Sequence, residues 1–411
     1  MPPAETRVIY FDNIRSLMVL CVVIVHSAAA YTNTIPWWYV RNSQTSTFFD
    51  LLVFVLDIFQ MPVIFFIAGY FTLPSLLTRG VTGFILSKLK RLGIPLVLIG
   101  CFFSPIMPYI HYRLRTDGQM RFLEYWLHQM KTILPVGFVH ASSAMEIEQH
   151  FNDFDQQHLW FISLLLLFFV ISALVIRIMS KLKPDVIQSR SSDPVPVNPS
   201  MIWPLFITGV AAGSAFGLIG LYSQDGSWLK FGGLLLFQPT RLPVYIGMFA
   251  LGIYAYGKQL LDNRRFPVSW SVWLSFTLAL TLLFLVHAEK IYTKPVTIVQ
   301  SLAHGYFRAF LCLAYLGVFV SSGNQQWNRS ANTPQSLAVS SYDIYLIHLP
   351  IVVIVQLVFL PLPVSIFLKG GFIAAFTVFL CWRLSSKVIL PYPKAAAMAL
   401  LGVFLIALLV V

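Results

Sequence analysis

Three ionisable residues near the N-terminus, Asp12, Arg15 and His26, are spaced as they would be on one helix. His26 follows Arg15 by eleven residues, and eleven steps of 100° return to within about 20° of the starting direction, about 16 Å along a helix axis. Asp12 lies one turn before Arg15 and can pair with it. An imidazole titrates near neutral pH and can act as a general base. This helix face suits a ligand that is anionic at one end and reactive at the other; the alternative is that His26 only bonds a neighbouring helix.

Two further groups lie where apolar segments begin. Lys88 and Arg91 precede the third apolar segment. They are either an ordinary basic anchor or a grip for phosphate groups, which both side chains bind. His158 and Trp160 open the fourth apolar segment. A tryptophan beside a histidine is typical of the aromatic belt at a membrane interface, which is the simpler interpretation of this pair.

Two pairs of polar residues lie inside apolar segments, where an ionisable group is unfavourable and is a functional candidate by default. Tyr345 and His348 are three residues apart in the ninth segment and share a helix face. His304 and Arg308 are four apart in the eighth segment. Arg308 lies too deep to reach the membrane surface comfortably, and the sequence does not identify its partner. The order and spacing of residues match no serine–histidine–acid triad, nucleotide-binding glycine motif or metal site, so we expect no metal.

The elements that must position these residues are transmembrane helices. Of the 411 residues, 57% are hydrophobic and only 11% are charged, whereas about 25% are charged in soluble domains. The apolar runs are long enough to cross a bilayer and lack the period-two alternation of barrel strands. We therefore predict an all-α fold, a polytopic transmembrane helical bundle. The predicted spans are 14–31, 50–73, 93–111, 158–179, 201–222, 241–257, 268–288, 302–321, 339–361 and 364–383, with 395–411 as a candidate eleventh.

The distribution of basic residues predicts the orientation of the bundle. Lysine and arginine number 17 on the side of the N-terminus and 11 on or near the other side. The positive-inside rule therefore places the N-terminus in the cytoplasm. The net charge of +12 is explained by these dispersed loop residues, so we expect no nucleic acid as a partner. The apolar stretch 14–25 followed by Ala28, Ala29 and Ala30 is similar to a signal peptide, but Glu5 and Asp12 precede it, and we favour an uncleaved first span.

The chain is predicted to form one membrane domain, residues 1–390, followed by a C-terminal hydrophobic segment, 391–411. Within the domain, residues 184–200 are rich in proline and serine and are typical of a flexible linker, which the orientation places in the cytoplasm. The longest segment on the opposite side is 112–157, in which residues 122–134 have the mixed polarity of an amphipathic interfacial helix.

Taken in order, five motifs resemble those of the integral-membrane acyltransferase-3 family. They cover positions 11 to 348, most of the chain, and each is weak alone. Within this family, the sequence most resembles the glucan biosynthesis protein C branch, whose members are implicated in succinylating periplasmic glucans. The motifs are Phe11-Asp-Asn-Ile-Arg15 with His26, Met61-Pro-Val-Ile-Phe-Phe-Ile-Ala-Gly69-Tyr-Phe, Lys88-Leu-Lys-Arg91-Leu-Gly-Ile-Pro, His158-Leu-Trp160-Phe-Ile and Ser341-Tyr-Asp-Ile-Tyr345-Leu-Ile-His348.

The resemblance implies roles for particular residues. His26 corresponds to the histidine proposed as the base in this family, and Arg15 to the arginine eleven residues before it. The family often carries two arginines before the third span; here the first is Lys88, which keeps the charge but not a bidentate geometry, and the second is Arg91. Arg15, Lys88 and Arg91 are thus expected to bind the acyl donor. Supporting or acceptor-side roles are expected for Asp12, His158, Trp160, Arg308, Tyr345 and His348.

The resemblance implies a multi-pass enzyme of a bacterial cell membrane. We expect it to move an acyl group, of the acetyl or succinyl class, from cytoplasmic acyl-coenzyme A to a hydroxyl of an extracytoplasmic glycan or similar acceptor. Acyl-coenzyme A, the acceptor and membrane lipids are the expected partners, with no permanently bound cofactor. The rival hypothesis is a transporter or flippase for a lipid or glycan, and a third is a non-catalytic sensor or scaffold. The rivals explain buried charges and ten helices, but not the order of the motifs.

Overall fold

Helices dominate the structure, a computed structural model that describes residues 8–115, 119–134, 138–141, 153–182, 201–261, 268–292, 297–327 and 332–410. In chain order the described helices are α1 (Ile9–Ala28), α2 (Thr47–Tyr70), α3 (Thr72–Lys88), α4 (Ile94–Phe102), α5 (Ile106–Arg115), α6 (Phe122–Lys131), α7 (Trp160–Leu182), α8 (Ile202–Ile219), α9 (Leu242–Gly257), α10 (Trp270–Tyr292), α11 (Ile298–Gln326), α12 (Asn332–Phe359), α13 (Ile366–Leu384) and α14 (Pro393–Val410).

The predicted all-α polytopic bundle is confirmed. Within the described ranges, nine helical stretches are long and apolar enough to cross a membrane, and Leu242–Gly257 and Pro393–Ile406 are shorter apolar helices. Each of the eleven apolar runs in the sequence coincides with one of these helices. The agreement follows from the bilayer itself, because a segment without charged groups can satisfy its backbone in lipid only by forming a helix or a closed barrel. The predicted linker 184–200 lies outside the described residues.

One departure from the prediction is a small antiparallel sheet of three strands. Strand β1 (Phe138–Ala141) pairs with β2 (Trp228–Phe231), which pairs with β3 (Leu235–Phe237). The prediction missed it because strands this short have no visible alternation, and because β1 and β2 are far apart in the chain. Gly232, in the turn between β2 and β3, has φ 52°, a left-handed value that glycine adopts without strain.

A second departure lies between the second and third predicted spans. This segment is not a loop: α3 runs from Thr72 to Lys88, a π-helical turn covers Leu89–Gly93, and α4 and α5 follow. Helix α3 is kinked at Gly80, whose φ of 65° and ψ of 171° are non-helical. The kink follows from the glycine, since other residues adopt a positive φ only with strain.

Helix α1 lies in the core of the bundle, where it packs against α2, α12 and α13. Its side chains Ile14, Met18 and Val23 are fully buried. Helices α2 and α9 cross very closely, since a Cβ added to Gly69 would lie 2.0 Å from the carbonyl oxygen of Phe249. Small residues at helix crossings allow such approaches in membranes. The motif glycine at position 69 therefore has a packing role.

The segment 122–134, predicted to be an amphipathic interfacial helix, contains the helix α6. Its buried residues Phe122 and Tyr125 pack with Tyr109 of α5 and Phe404 of α14. The apolar face of α6 therefore contacts protein, and the C-terminal segment 391–411 contributes to that contact through helix α14.

Candidate functional site

One stripe of helix α12 connects the two ends of the predicted site. Ser341, Tyr345 and His348 follow each other at intervals of four and three residues, a spacing that keeps them on one helix face, and Tyr342 lies beside that face, three residues before Tyr345. Helix α12 packs along α1. The stripe therefore runs from the end of the bundle that carries Arg15, Lys88 and Arg91, called here the basic end, to the end that carries His26, called the histidine end.

Arg15 at the basic end is held by several groups. Its Nη2 lies 3.0 Å from Oδ1 of Asp12, which confirms the predicted ion pair. Its Nε donates to Oγ of Ser341 at 3.2 Å, and Nη2 donates to the carbonyl oxygen of Ala338 at 3.1 Å. Arg15 thus joins α1 to α12. The sequence drew attention to Ser341 only as part of a motif, although it lies one turn before Tyr345 on the same helix.

Lys88 and Arg91 are positioned by aromatic rings. The Nζ of Lys88 lies 4.2 Å from the ring centroid of Phe169 and 5.1 Å from that of Phe84. The Cζ of Arg91 lies 5.8 Å from the ring centroid of Tyr342, whose hydroxyl donates to the Arg91 carbonyl oxygen at 2.8 Å. All three distances are in the cation–π range. Arg91 belongs to the π-helical turn Leu89–Gly93, a feature that is frequent at functional sites.

A cavity of about 480 Å³ opens at the basic end, within the usual size range of small-molecule sites. Five charged residues line it: Asp12, Arg15, Arg79, Lys88 and Arg91. Its remaining wall is largely apolar, with Val19, Ile64, Ala68, Phe71, Leu92, Ile162, Leu165 and Phe169 among the lining residues. The cavity therefore combines a cationic mouth with an apolar interior.

The inner part of the cavity reaches Phe161 and Tyr345 but is not lined by the histidines. The hydroxyl of Tyr345 donates a hydrogen bond to the carbonyl oxygen of His158, and Tyr345 is 3% exposed. Its ring centroid lies 5.6 Å from that of His158 and 5.9 Å from that of His348. Tyr345 thus lines the cavity and also contacts the histidine cluster.

Three histidines meet at the histidine end. The Nδ1 of His26 lies 2.8 Å from Nε2 of His348, and the two rings are nearly parallel, with an interplanar angle of 9°. The ring of His158 lies edge-on to His348 at a centroid distance of 5.0 Å. The ring of His26 also stacks on that of Trp38, with centroids 5.5 Å apart and an interplanar angle of 21°. Trp38 was missed because it lies in a loop after the first span, where a tryptophan is ordinary for a membrane interface.

The hydrogen bonds determine which nitrogen of each ring carries a proton. Nδ1 of His348 lies 2.7 Å from the carbonyl oxygen of Tyr345 and 3.2 Å from that of Ile344. Carbonyl oxygens only accept, so this Nδ1 carries a hydrogen. With both rings neutral, Nε2 of His348 is then an acceptor and Nδ1 of His26 is the donor between them. Nε2 of His26 is left with a free lone pair, the form that a general base requires.

The residues before α7 carry further unusual features. Gln157 has a φ of 54°, which is strained for a residue other than glycine. Nε2 of His158 bonds the carbonyl oxygen of Leu346 at 3.2 Å. Among the described residues, neither Nδ1 of His158 nor Nε2 of Gln157 has a hydrogen-bond partner, although both atoms are buried. Buried polar atoms without partners are uncommon and often mark a site that binds water or ligand.

Trp160 follows His158 by two residues, but its ring contacts other aromatic groups. Its ring lies 5.5 Å from that of Trp228 in β2 and 5.7 Å from that of Tyr245 in α9. The small sheet and α9 therefore form the surroundings of Trp160. Sequence reasoning could not join Trp228 to this group, because only the fold brings β2 to the start of α7.

Arg308 has its partners in a separate ion cluster. It contacts Asp57 at 3.0 Å and Asp225 at 3.3 Å, and Arg241 contacts the same two carboxylates. His304 approaches Asp225 at 3.2 Å. Burial alone would raise the pKa of Asp225, but the guanidinium groups of Arg241 and Arg308 and the His304 hydrogen bond hold it well below its usual value. The structure thus brings Arg308 into a cluster that joins α2, α9 and α11, and shows no contact between Arg308 and the three clustered histidines.

Comparison with known proteins identifies the family of the chain. Residues 8–386 match the family model of acyltransferase-3, described as an acyltransferase domain. No curated protein and no solved structure matches the chain. The matched region contains every predicted site residue and ends just before the C-terminal helix α14. The chain therefore belongs to the acyltransferase-3 family, and it is a membrane acyltransferase.

Proposed function

We propose that this acyltransferase takes its acyl group from acyl-coenzyme A and transfers it to a hydroxyl group on the opposite side of the membrane. The observation that carries the proposal is the cavity of about 480 Å³, which has a cationic mouth and an apolar interior that ends beside the histidine cluster. Coenzyme A has the matching polarity, since its phosphates lie far from its thioester. Arg15, Lys88 and Arg91 are the residues to which we assign the phosphates.

We propose His26 as the general base. Its Nε2 takes the proton of the acceptor hydroxyl, whose oxygen attacks the thioester carbonyl carbon. The tetrahedral intermediate then expels the thiolate of coenzyme A, which receives the proton from the His26 imidazolium. The products are an ester and free coenzyme A. A transient acyl-histidine is the alternative route, in which the Nε2 lone pair attacks the thioester first.

His348 has a supporting role in either route. Its Nε2 accepts the hydrogen bond from Nδ1 of His26 at 2.8 Å. This bond orients the imidazole and stabilises the positive charge that it gains in the transition state, as an orienting carboxylate does in other histidine-based enzymes. Tyr345 lies between the cavity and the histidines, so a thioester that reaches His26 must pass beside its ring.

For the acceptor and the acyl group we propose a chemical class and not a particular molecule. With the N-terminus in the cytoplasm, the basic end faces the cytoplasmic pool of coenzyme A esters and the histidine end faces outwards. We propose an extracytoplasmic glycan as the acceptor and an acetyl or succinyl group as the cargo, as the resemblance to the glucan biosynthesis protein C branch implies. Asp12 supports Arg15 through their ion pair, and His158 and Trp160 are assigned to the acceptor side.

The test uses the full chain in lipid nanodiscs with acetyl- or succinyl-coenzyme A. Release of free thiol that depends on the protein, on an added glucan acceptor and on His26 supports the proposal. A transporter or flippase would consume neither thioester, and this outcome would overturn the proposal. Mass spectrometry of envelope glycans from cells with and without the protein then identifies the acyl group and the acceptor.

A further inference from the structure

Four basic side chains surround the mouth of the cavity, and three of them are held by contacts within the protein. Arg15 is bound to Asp12 and to α12, while Lys88 and Arg91 lie over aromatic rings. The fourth is Arg79, an exposed residue of α3. Across the described residues, no hydrogen bond or ion pair engages the side chain of Arg79.

The position of Arg79 follows from the kink in α3. Gly80, the next residue, has a φ of 65° inside the helix, so the chain changes direction between Arg79 and Lys88. An ideal Cβ on Gly80 would meet no atom within 4 Å, which means that the glycine is needed for its backbone conformation and not for lack of space. As a result the cationic side chains reach the mouth from three places. Arg15 comes from α1, Arg79 from the first half of α3, and Lys88 and Arg91 from the end of α3 and the π-helical turn that follows it.

The charge around the mouth exceeds what one phosphate group requires. The lining includes four cations, Arg15, Arg79, Lys88 and Arg91, and one carboxylate, Asp12, which leaves three net positive charges. Cations that approach from three directions fit an anion whose phosphates diverge. Coenzyme A is such a molecule, because its 3′-phosphate branches from the ribose, away from the diphosphate that leads to the pantetheine arm.

We propose that Arg79 is the residue that binds the 3′-phosphate of coenzyme A. The inference rests on the proposed function, since it takes acyl-coenzyme A as the donor. Arg15, Lys88 and Arg91 then serve the diphosphate, which must lie closer to the cavity interior if the pantetheine arm is to enter. A free guanidinium suits this task because it presents several donors to one phosphate. Arg79 therefore distinguishes coenzyme A esters from thioesters that lack a 3′-phosphate.

The experiment compares coenzyme A with dephospho-coenzyme A, which differs only by the 3′-phosphate. Binding of each is measured by calorimetry on the full chain in nanodiscs, for the wild type, Arg79→Ala and Arg79→Lys. We expect the wild type to bind coenzyme A more tightly, and Arg79→Ala to lose about tenfold or more in affinity for it, as befits a charge-assisted hydrogen bond. The affinity for dephospho-coenzyme A should not change, and Arg79→Lys should retain part of the preference.

Lys90→Ala is the matched control, because Lys90 is exposed and close in sequence but does not line the cavity; both affinities should be unchanged. If Arg79→Ala weakens both ligands equally, or neither, the assignment of Arg79 is wrong and the proposed function stands. A wild-type protein that binds both ligands with equal affinity also overturns the assignment alone. If the wild type binds neither ligand, the proposed donor is wrong, and the assignment fails with it.

Discussion

His26 and His348 form a hydrogen-bonded pair of nearly parallel imidazoles, with Nδ1 of His26 2.8 Å from Nε2 of His348 and an interplanar angle of 9°. His348 is fully buried and is itself oriented by the carbonyl oxygens of Ile344 and Tyr345. Hydrogen bonds therefore run from the backbone carbonyls of α12 through His348 to Nδ1 of His26. They leave Nε2 of His26 with its lone pair available. These hydrogen bonds make His348 a positioning residue for His26.

Replacing His348 should slow transfer without affecting donor binding. In His348→Ala the Nδ1–H of His26 loses its acceptor, so we expect kcat to fall about 10²-fold while KM for the thioester stays near the wild-type value. His348→Gln should recover part of the rate, because its side-chain oxygen can accept the same hydrogen bond. Steady-state kinetics of both variants measure this difference. An equal loss of kcat in the alanine and glutamine variants would show that the hydrogen bond from His26 to His348 does not contribute to the rate.

Replacing His26 should abolish transfer. We expect His26→Ala to lose a factor of about 10² to 10⁴ in rate, which is the usual contribution of a general base. His26→Gln should be almost as slow, because an amide cannot accept the proton. The measurement needs variants that elute normally in size-exclusion chromatography and still bind coenzyme A. A folded His26→Ala protein that transfers at the wild-type rate would leave His26 with a structural role only.

Lys88→Ala and Arg91→Ala should weaken donor binding more than the bound-state rate, since both side chains lie at the opposite end of the cavity from the histidines. We expect each single variant to raise KM for the thioester several-fold and the double variant to raise it further, with kcat less affected. Calorimetry with coenzyme A checks the affinities. Unchanged affinity in the double variant contradicts the assignment of these residues to the phosphates.

The ion cluster predicts a stability that depends on Asp225. Asp225→Asn leaves Arg241 and Arg308 with less compensation in a buried site, which costs about 3–5 kcal/mol for such pairs. The pKa of Asp225 is held well below its usual value by these guanidinium groups, although burial alone would raise it. Its contribution is therefore present above about pH 4, the ordinary carboxyl value, and is lost as the pH falls through the lower pKa of the folded state.

Thermal unfolding of the wild type and Asp225→Asn between pH 7 and pH 2 measures this contribution. The two proteins should differ by a constant amount from neutral pH down to about pH 4, and the difference should shrink as the pH falls further. A constant difference across the range would mean that the carboxylate charge of Asp225 does not contribute.

The crossing of α2 and α9 should not tolerate a methyl group. A Cβ on Gly252 would lie 2.1 Å from the carbonyl oxygen of Phe66, so Gly252→Ala must push the helices apart. We expect a loss of about 1–3 kcal/mol, typical of overpacking. Gly371→Ala in α13 is the control, because its Cβ would meet no atom within 4 Å and alanine favours a helix. Comparable unfolding temperatures for the two variants would contradict the close crossing.

Interactions within a single helix could be predicted from the sequence, because they depend only on helix geometry. The pairing of Asp12 with Arg15 and the shared face of Tyr345 and His348 are of this kind. The apolar helices themselves were also predictable, since lipid leaves an uncharged segment few alternatives to a helix. The motifs identified the family for the same reason: they are local in the chain.

The contacts that make a site depend on tertiary structure. His26 meets His348 across 322 residues, and Arg308 meets Asp57 across 251; neither contact follows from local spacing, because no periodicity says which helices are neighbours. The place of Arg79 at the cavity mouth depends on a glycine kink, and the free nitrogen of His26 depends on carbonyl oxygens of a distant helix. The sequence alone determined the helices and the residues that could bind or catalyse. Packing decided which of those residues meet, because van der Waals fit and hydrogen bonds between helices depend on many positions at once.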